Sequence, residues 1–387
     1  MRRVLAGLLA VMAWAAPARA DLALSSNDAH TILDNGAQVA PAEAAADTLS
    51  VIDLAASPPS VRATLDVPGS VVGPPMAVAV AKDESFAIVT SATKANPAGP
   101  AGSSAGPAGI SPDSRVSVID LTATPPQVVQ SLQAEAGATT VRIAPDGTLA
   151  LVANRFAGTL SVFTIDGRRL TPAGTVMIGP KSMPSGIAFT ADGKAALVTR
   201  NGDHMVQVLD IDGAKVTLGA RQITTGVAPY TIDVTADGTL AAVGNMGRGD
   251  GDLDTVSLID LTAQPFRTVQ TISVGCSPEG LKWSPDGKVL AVGTQEGTTK
   301  PAGSPFRNDR GRLAMYALAD KQLKLVAEAP IGHWSQGIAF SRDGRTVLVQ
   351  NMVERAIQVF RWDGAKLWPG TSLDIGAGPA AIATAWP

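Results

Sequence analysis

Hydrophobic and polar positions alternate along short segments of this chain, and the same alternation returns about every 46 residues. One unit, residues 184–213, contains an alternating strand, a turn at Asp192-Gly193 and a second apolar strand, and its third strand ends at Asp212. Asp-Gly between alternating segments is a strong hairpin signal, because glycine tolerates the positive φ that tight turns require. A more polar fourth strand completes the unit, so each repeat predicts a four-stranded antiparallel sheet.

Two aspartates mark this unit each time it recurs. The turn aspartates are Asp83, Asp146, Asp192, Asp237, Asp286 and Asp343, and the aspartates that end third strands are Asp53, Asp120, Asp166, Asp212, Asp260, Asp320 and Asp363. Four strands at a nearly fixed spacing are typical of a β-propeller. A pair of β-sandwiches, the alternative for a chain with many short strands, has no such fixed period.

The two counts differ, because there are seven third strands and six inner turns. The missing strand is supplied by the ends of the chain. Residues 378–383 match the first strand of a unit, whereas residues 21–69 supply a second, third and fourth strand. One blade shared between the termini closes the ring and leaves no exposed sheet edge. The sequence therefore predicts an all-β, seven-bladed propeller formed by residues 21–387 as one domain.

Residues 1–20 lie outside this repeat and predict a secretory signal peptide. Arg2 and Arg3 precede an apolar run, and a small-x-small site at 18–20 predicts cleavage before Asp21. The apolar run is short for a membrane span, and no later segment is long and apolar enough for one. We therefore expect a periplasmic or secreted protein.

Composition narrows the chemistry that the mature chain can perform. Cleavage would change the formal charge from −3 to −6, with 28 basic and 34 acidic residues, which disfavours nucleic acid as a partner. Cys276 is the only cysteine, so neither an intramolecular disulfide nor a multi-cysteine metal site can form. Three histidines leave little material for a histidine-based metal centre. We expect no cofactor and a monomer.

Insertions mark one face of the predicted ring. They fall between second and third strands and span residues 25–47, 93–114, 246–254 and 295–311. Because scaffolds carry function on their loops, this face is the predicted functional face.

The junctions on that face carry the candidate site residues. Just before or within the first strands lie Tyr230, Glu279, His333, Trp334 and Gln336, and just after the second strands lie Asn154, Arg155, Arg200, Asn245 and Asn351. We expect Glu279, Tyr230, Arg200, Asn245 and His333 to meet in one polar pocket at the mouth of the central channel. The alternative is that the recurring asparagines only satisfy backbone groups of the loops.

The loop at 246–254 offers a separate candidate. Asp250, Asp252 and Asp254 alternate with Gly251 and Leu253, as at the start of a calcium-binding loop, but the distant bidentate glutamate is missing. A solvated acidic loop is the favoured interpretation, with Ca²⁺ as the alternative.

Several segments resemble the Tyr-Val-Thr-Asn repeat of the YVTN propellers, a WD40-like class. They are 150–154 (Ala-Leu-Val-Ala-Asn) with 158–163, 196–201 (Ala-Leu-Val-Thr-Arg-Asn) with 206–209, and the strands 48–53, 116–120 and 256–260 that match its Val-Ser-Val-Ile-Asp strand. The resemblance implies a fold family that includes lactonase-like (phosphogluconolactonase-type), surface-layer, periplasmic binding, and haem d1 or quinoprotein-associated propellers. The tyrosine of the motif is replaced by Ala or Leu.

Two functions remain open on the sequence, and the first is favoured over the second. The first is a propeller that binds a small molecule or a protein on its decorated face, because no Gly-x-Ser-x-Gly, His-Glu-x-x-His or phosphate-loop motif occurs. The second, implied by the resemblance, is a lactone hydrolase that uses Glu279 or His333 as the base. In it, Arg155, Arg200 or Tyr230 would stabilise the oxyanion.

Overall fold

The computed structural model describes residues 21–96 and 109–385. The predicted signal peptide, residues 97–108 of one insertion, and Trp386 lie outside these residues. In the described part of the chain all regular structure is β, and no helix that could cross a membrane is found there.

The described strands follow one another in the order that the repeat predicts. In the first half of the chain they are β1 (Leu22–Asp28), β2 (Ile32–Asp34), β3 (Ala37–Val39), β4 (Thr48–Asp53), β5 (Ser60–Asp66), β6 (Val78–Val80), β7 (Phe86–Ala95), β8 (Ile110–Asp120), β9 (Gln127–Gln133), β10 (Ala138–Ile143), β11 (Leu149–Asn154), β12 (Thr159–Asp166), β13 (Arg169–Met177), β14 (Pro184–Phe189), β15 (Ala195–Arg200), β16 (Met205–Asp212) and β17 (Lys215–Thr224). In the second half they are β18 (Pro229–Val234), β19 (Leu240–Asn245), β20 (Asp254–Asp260), β21 (Arg267–Gly275), β22 (Pro278–Trp283), β23 (Val289–Thr294), β24 (Gly311–Ala319), β25 (Gln322–Ile331), β26 (Ser335–Phe340), β27 (Thr346–Asn351), β28 (Ala356–Trp362), β29 (Leu367–Asp374) and β30 (Gly378–Thr384).

Seven four-stranded antiparallel sheets arise from these strands and form a seven-bladed β-propeller. Six blades are consecutive in sequence, from β6–β9 to β26–β29. The seventh has the order β30-β1-β4-β5, in which Leu24 pairs with Ala383 of the C-terminal strand. The predicted ring closure by the two termini is therefore confirmed.

The hydrophobic core lies between neighbouring blades. One cluster joins Leu151 and Leu160 of one blade to Ile187 and Val198 of the next, and each of these side chains is fully buried. The two middle strands of a blade are buried on both faces, whereas an outer strand such as β13 is largely exposed. No blade can bury both its faces alone, so the ring is stable only as a whole.

Short turns set the register of each inner hairpin. At the Asp192 turn the carboxylate accepts hydrogen bonds from Lys194 N (3.0 Å) and Thr190 Oγ1 (2.6 Å), and Gly193 takes a φ of +68°. The equivalent residue of the Asp83 turn is Glu84, which adopts a φ of +58°. The six predicted turns therefore all form.

Two predicted insertions are shorter than expected. Strand β1 extends to Asp28, and most of the short polar side chains in 25–28 find hydrogen-bond partners; Ser25 Oγ, for example, donates to Asn27 Oδ1 at 2.6 Å. Likewise β7 extends to Ala95 and β8 begins at Ile110, so both ends of the predicted insertion at 93–114 belong to strands. The insertions at 246–254 and 295–311 start where β19 and β23 end.

Trp283 and Trp362 pack in the core clusters between blades, with exposed fractions of 1% and 6%. These two side chains are therefore packing residues.

Candidate functional site

The register of each inner hairpin brings the start of a first strand next to the end of a second strand. Pro229 pairs with Asn245, and Pro278 pairs with Thr294. These junctions meet at the channel mouth, on the face that carries the insertions, and surround a cavity of about 440 Å³. Its polar and aromatic lining includes Arg155, Tyr230, Glu279, Gln295, Lys300 and Trp334. We call this cavity the mouth pocket.

Glu279 is the acidic side chain of the mouth pocket and is only 4% exposed. Gln295 Nε2 donates a hydrogen bond to Glu279 Oε2. Burial raises the pKa of Glu279 to about 8, and the charge of Arg155 lowers it by less. A carboxyl group with this pKa can exchange a proton near neutral pH, which an ordinary surface glutamate cannot.

Arg155 lies over the ring of Tyr230, with 5.5 Å between its guanidinium carbon and the ring centroid. The guanidinium donates to Ser185 Oγ and, at 2.8 Å, to Asn201 Oδ1, which holds it in place. Burial lowers the pKa of Arg155, whereas the charges of Tyr230 and Glu279 raise it. An arginine remains cationic under these conditions, so the mouth pocket contains a fixed positive charge close to Glu279.

Tyr230 is 8% exposed and lies beside the same carboxyl group. Burial raises the pKa of its hydroxyl above the ordinary value, Glu279 raises it further, and Arg155 and a backbone hydrogen bond from Gly73 lower it. The hydroxyl therefore keeps its proton and can donate a hydrogen bond. Gly73 has a φ of +116°, and a Cβ there would lie 1.4 Å from Thr139 Oγ1, so only glycine allows this contact.

The first insertion folds into a hairpin, β2–β3, that covers part of the mouth pocket. Leu33, Gly36 and Gln38 of this hairpin belong to the pocket lining. At its tip, Asn35 Oδ1 accepts a hydrogen bond from the backbone of Ala302 at 2.9 Å. The hairpin therefore connects the insertion at 25–47 with that at 295–311, and we call it the lid hairpin.

The base of the lid hairpin is held by a buried cluster that the sequence did not reveal. His30 Nδ1 lies 2.8 Å from Asp47 Oδ1 and 3.2 Å from Asp28 Oδ1. Burial raises the pKa of Asp28 to about 6. Burial disfavours the charged form of His30, but the hydrogen bond to Asp47 and the charge of Asp28 raise its pKa overall. Asp28 follows a strand, and His30 is one of three histidines, but neither signal predicts that Asp47 returns to them.

These three residues are also the trio of possible metal ligands that the described residues bring within 4.8 Å of one another. Their oxygen atoms are already used, because Asp28 accepts from the backbone of His30, Thr31 and Val71, and Asp47 accepts from Ala29. These hydrogen bonds hold the loop backbone to the cluster, which therefore has a structural role.

Several predicted site residues lie outside the mouth pocket. Asn154, Asn245 and Asn351 occupy the last position of a second strand, and each accepts a hydrogen bond from the backbone of the preceding loop, from Glu135, Gly226 and Gly332 respectively. Their side-chain nitrogens donate to neighbouring side chains, as Asn154 does to Thr159 and Ser161. Asn27 makes the same contacts in the shared blade, to Thr48 and Ser50. Their contacts therefore agree with the alternative interpretation, in which these asparagines satisfy backbone groups of the loops.

The side chains of Arg200 and His333 also make their contacts outside the mouth pocket. Arg200 occupies the strand position of Asn154 and forms an ion pair with Asp203. His333 pairs with the exposed Glu354 at 2.6 Å. The predicted meeting of Arg200, Asn245 and His333 with Glu279 is therefore wrong. The pocket is lined instead by residues that come one position after the last residue of a second strand, namely Arg155, Met246 and Gln295. Successive side chains along a strand point in opposite directions, so this one position decides which side chain faces the pocket.

Of two further candidates, Trp334 reaches the mouth pocket and Gln336 does not line it. Trp334 is 4% exposed and lines the mouth pocket, as predicted for a contact residue. Gln336 is fully buried, and its Nε2 lies 3.5 Å from the carbonyl of Trp334. Its Oε1 has no hydrogen-bond partner among the described residues.

Asp250, Asp252 and Asp254 of the acidic loop do not form a compact ligand trio. Asp254 turns away to accept a hydrogen bond from the backbone of Ser277 at 2.8 Å. The pKa of Asp254 is raised to about 6, mainly by burial and in addition by the charges of Asp250 and Asp252. Calcium binding by this loop remains a prediction.

A known protein family matches part of the chain. Residues 113–230 match the sequence profile of the family described as lactonase, 7-bladed beta-propeller. This range contains Arg155 and Tyr230 but ends before Glu279. A comparison with curated protein sequences finds no match.

Solved structures of similar fold cover nearly the whole chain. A candidate 6-phosphogluconolactonase from Bacteroides fragilis has a TM-score of 0.71 at 14% identity and covers 96% of this chain and 99% of its own. The periplasmic gluconolactonase of Pseudomonas aeruginosa has a TM-score of 0.66 at 19% identity and covers 94% of this chain and 99% of its own. A functionally unknown protein from Desulfotomaculum acetoxidans has a TM-score of 0.69 at 14% identity, with 95% and 99% covered. At these identities the likeness concerns the fold.

Proposed function

We propose that this lactonase-like seven-bladed propeller hydrolyses a lactone in the mouth pocket, with Glu279 as the general base. The observation that carries the proposal is a buried carboxyl group with a pKa of about 8 beside the fixed guanidinium of Arg155. The names of the similar gluconolactonases support a sugar-acid lactone as the substrate class. The cavity of about 440 Å³ has room for a six-membered ring with its hydroxyl groups.

The reaction assigns each side chain a simple role. Glu279 accepts a proton from a water molecule, whose oxygen attacks the lactone carbonyl. Arg155 and the Tyr230 hydroxyl stabilise the oxyanion that forms, because a fixed cation and a retained O–H donor are already oriented. The ring C–O bond then breaks, and the departing oxygen takes the proton back from Glu279, which gives a hydroxy acid. Atoms and protons balance, and no cofactor is required.

The state of Glu279 sets the pH dependence. A base must be ionised, and with a pKa of about 8 the ionised fraction rises through neutral pH. We expect the rate, after subtraction of spontaneous hydrolysis, to rise with pH and to level off above about 8.

The test is acid release from D-glucono-δ-lactone, followed with a pH indicator in weak buffer. We expect Glu279→Gln to lower kcat/KM by about 10² to 10⁴-fold, which is the usual contribution of a general base. His333→Asn tests the other predicted base, and Glu43→Gln is the matched control, an acid that is exposed to solvent and does not line the mouth pocket. Full activity of Glu279→Gln, or a loss confined to His333→Asn, would contradict the assignment.

Ligand binding without turnover is the second candidate, and the lid hairpin favours it. The hairpin covers part of the mouth pocket and is joined to the insertion at 295–311 by the hydrogen bond between Asn35 and Ala302, so it can contact a molecule bound there. If this function is correct, the wild type releases no acid above background but still binds a sugar acid, and Arg155→Met weakens that binding in calorimetry. Acid release by the wild type would exclude it.

Export is the remaining part of the proposal, and it rests on residues 1–20. We expect the mature protein to begin at Asp21, as N-terminal sequencing of protein from the periplasm would show. An uncleaved N-terminus in the cytoplasmic fraction would contradict this. The chain is further proposed to act as a monomer, which sedimentation can test.

A further inference from the structure

The central channel has a second chamber at the end opposite the mouth pocket. First strands begin at the mouth and end beside the inner turns, so the later residues of these strands line the opposite end. This distal chamber has a volume of about 340 Å³. Its apolar lining includes Val80, Ile143, Phe189, Val234, Leu281 and Ile338. Because apolar side chains cover much of its wall, the chamber suits a ligand with an apolar body.

Arg142 of β10 lines the distal chamber and uses only part of its guanidinium for the protein. Its Nη1 donates to the carbonyls of Val141 (3.0 Å) and Val78 (3.3 Å). Among the residues that the structure describes, Nε and Nη2 have no hydrogen-bond partner. This free edge presents two parallel N–H groups, the geometry that binds a carboxylate through both of its oxygens.

The other charges around the chamber leave it positive. The lining side chains include four cations (Lys82, Arg142, Lys282 and Arg342) and one carboxylate, Asp233. Asp233 lies 3.1 Å from Lys282 and its charge also acts on Arg142, whereas Arg342 lies 3.3 Å from Glu84 outside the lining. Asp233 also accepts a hydrogen bond from the backbone of Trp283 at 2.9 Å. Lys82 lines the chamber at its exposed rim and adds a second positive charge to that of Arg142.

We propose that the distal chamber binds a monocarboxylate with an apolar body, its carboxylate on Arg142 and its hydrocarbon among the lining side chains. At about 30 Å³ for each water-sized group, the volume admits about ten such groups, which corresponds to a medium-length aliphatic chain or one substituted aromatic ring. The inference does not depend on lactone hydrolysis, because the two cavities share no lining residue.

The test is isothermal titration of the full mature protein with octanoate, butyrate and octan-1-ol. We expect octanoate to bind with measurable heat and to exceed butyrate, because each added methylene strengthens binding about three- to fourfold. Octan-1-ol lacks the charge that pairs with Arg142, so its binding should be at least tenfold weaker than that of octanoate. Equal binding of octanoate and octan-1-ol, or no binding of octanoate, would overturn the proposal.

Two variants and two controls locate the site. Arg142→Met should weaken octanoate at least tenfold, and Ile143→Trp should block the chamber while it leaves Arg142 in place. Arg169→Met, an exposed arginine of the outer strand β13, is the matched control and should bind as the wild type does. Glu279→Gln should also bind octanoate normally, which separates this result from that of the lactone assay. Wild-type affinity in both chamber variants would place octanoate elsewhere.

Discussion

The substitution Glu279→Gln changes stability in a way that depends on pH, whether or not the protein is an enzyme. In the folded protein the pKa of Glu279 is about 8, against an ordinary value of 4.5. When the pH rises above 4.5 the unfolded chain loses this proton, but the folded protein keeps it until the pH approaches 8. The folded state then binds more protons than the unfolded state, so a rising pH lowers the free energy of unfolding.

The size of this loss follows from the two pKa values. Between pH 5 and pH 8 the wild type should lose about 3 to 4 kcal/mol of stability through Glu279, because about 1.4 kcal/mol is lost for each pH unit over which only the unfolded chain has released the proton. Glutamine does not titrate, and its amide oxygen can accept the hydrogen bond that Gln295 donates to the carboxylate. Glu279→Gln should therefore be more stable than the wild type at pH 8, and the difference should shrink at pH 5.

The measurement is urea unfolding of both proteins at pH 5, 6.5 and 8, with Glu43→Gln as a control. Glu43 is exposed and does not line the mouth pocket, so its substitution should change the stability little at each pH. Parallel curves for wild type and Glu279→Gln across this range would refute the reasoning, since they would mean that Glu279 titrates like an ordinary glutamate.

Three further changes test the ring and its lid. Deletion of residues 377–387 removes β30 from the shared blade and should cause unfolding or aggregation, whereas an unchanged melting temperature would show that this strand does not close the ring. Gly36→Val places a Cβ 2.7 Å from Pro301, at a backbone φ of +87°. It should therefore loosen the lid hairpin and speed amide hydrogen exchange in residues 32–39. Gly167→Val is the control, because its φ is +57° but nothing lies within 4 Å of the added Cβ, and it should leave the exchange of residues 32–39 slow. Asp47→Asn removes the carboxylate that pairs with His30 and should cost about 1 to 3 kcal/mol in urea unfolding at pH 6, and a neutral result would contradict the role of this cluster.

The sequence predicts most of the fold because the signals for it are local and repeated. Alternation of hydrophobic residues decides which face of a strand is buried, and the Asp-Gly turns decide where the strands reverse. The unmatched strand at the two ends then requires closure between the termini. The sequence also places four residues at one rim of the ring, because all four lie at strand junctions: Glu279, Tyr230, Arg155 and Trp334.

The sequence does not determine which of the neighbouring rim residues face the pocket. Arg200 is the last residue of its second strand, whereas Arg155 is the first residue after its own, and this difference of one position reverses the direction of the side chain. Arg155 therefore reaches Tyr230, whereas Arg200 reaches Asp203.

Contacts between distant segments were decided by the tertiary structure alone. The lid hairpin meets Ala302 across 267 residues, and Asp47 meets His30 only because the hairpin returns to its base. The distal chamber has no local signal at all, since the first strands contribute mostly ordinary apolar residues, and Arg142, Asp233 and Lys282 come from three separate strands. Alternation and turns act over a few residues, whereas a pocket depends on where seven separate blades place their ends, and only the closed ring sets those positions.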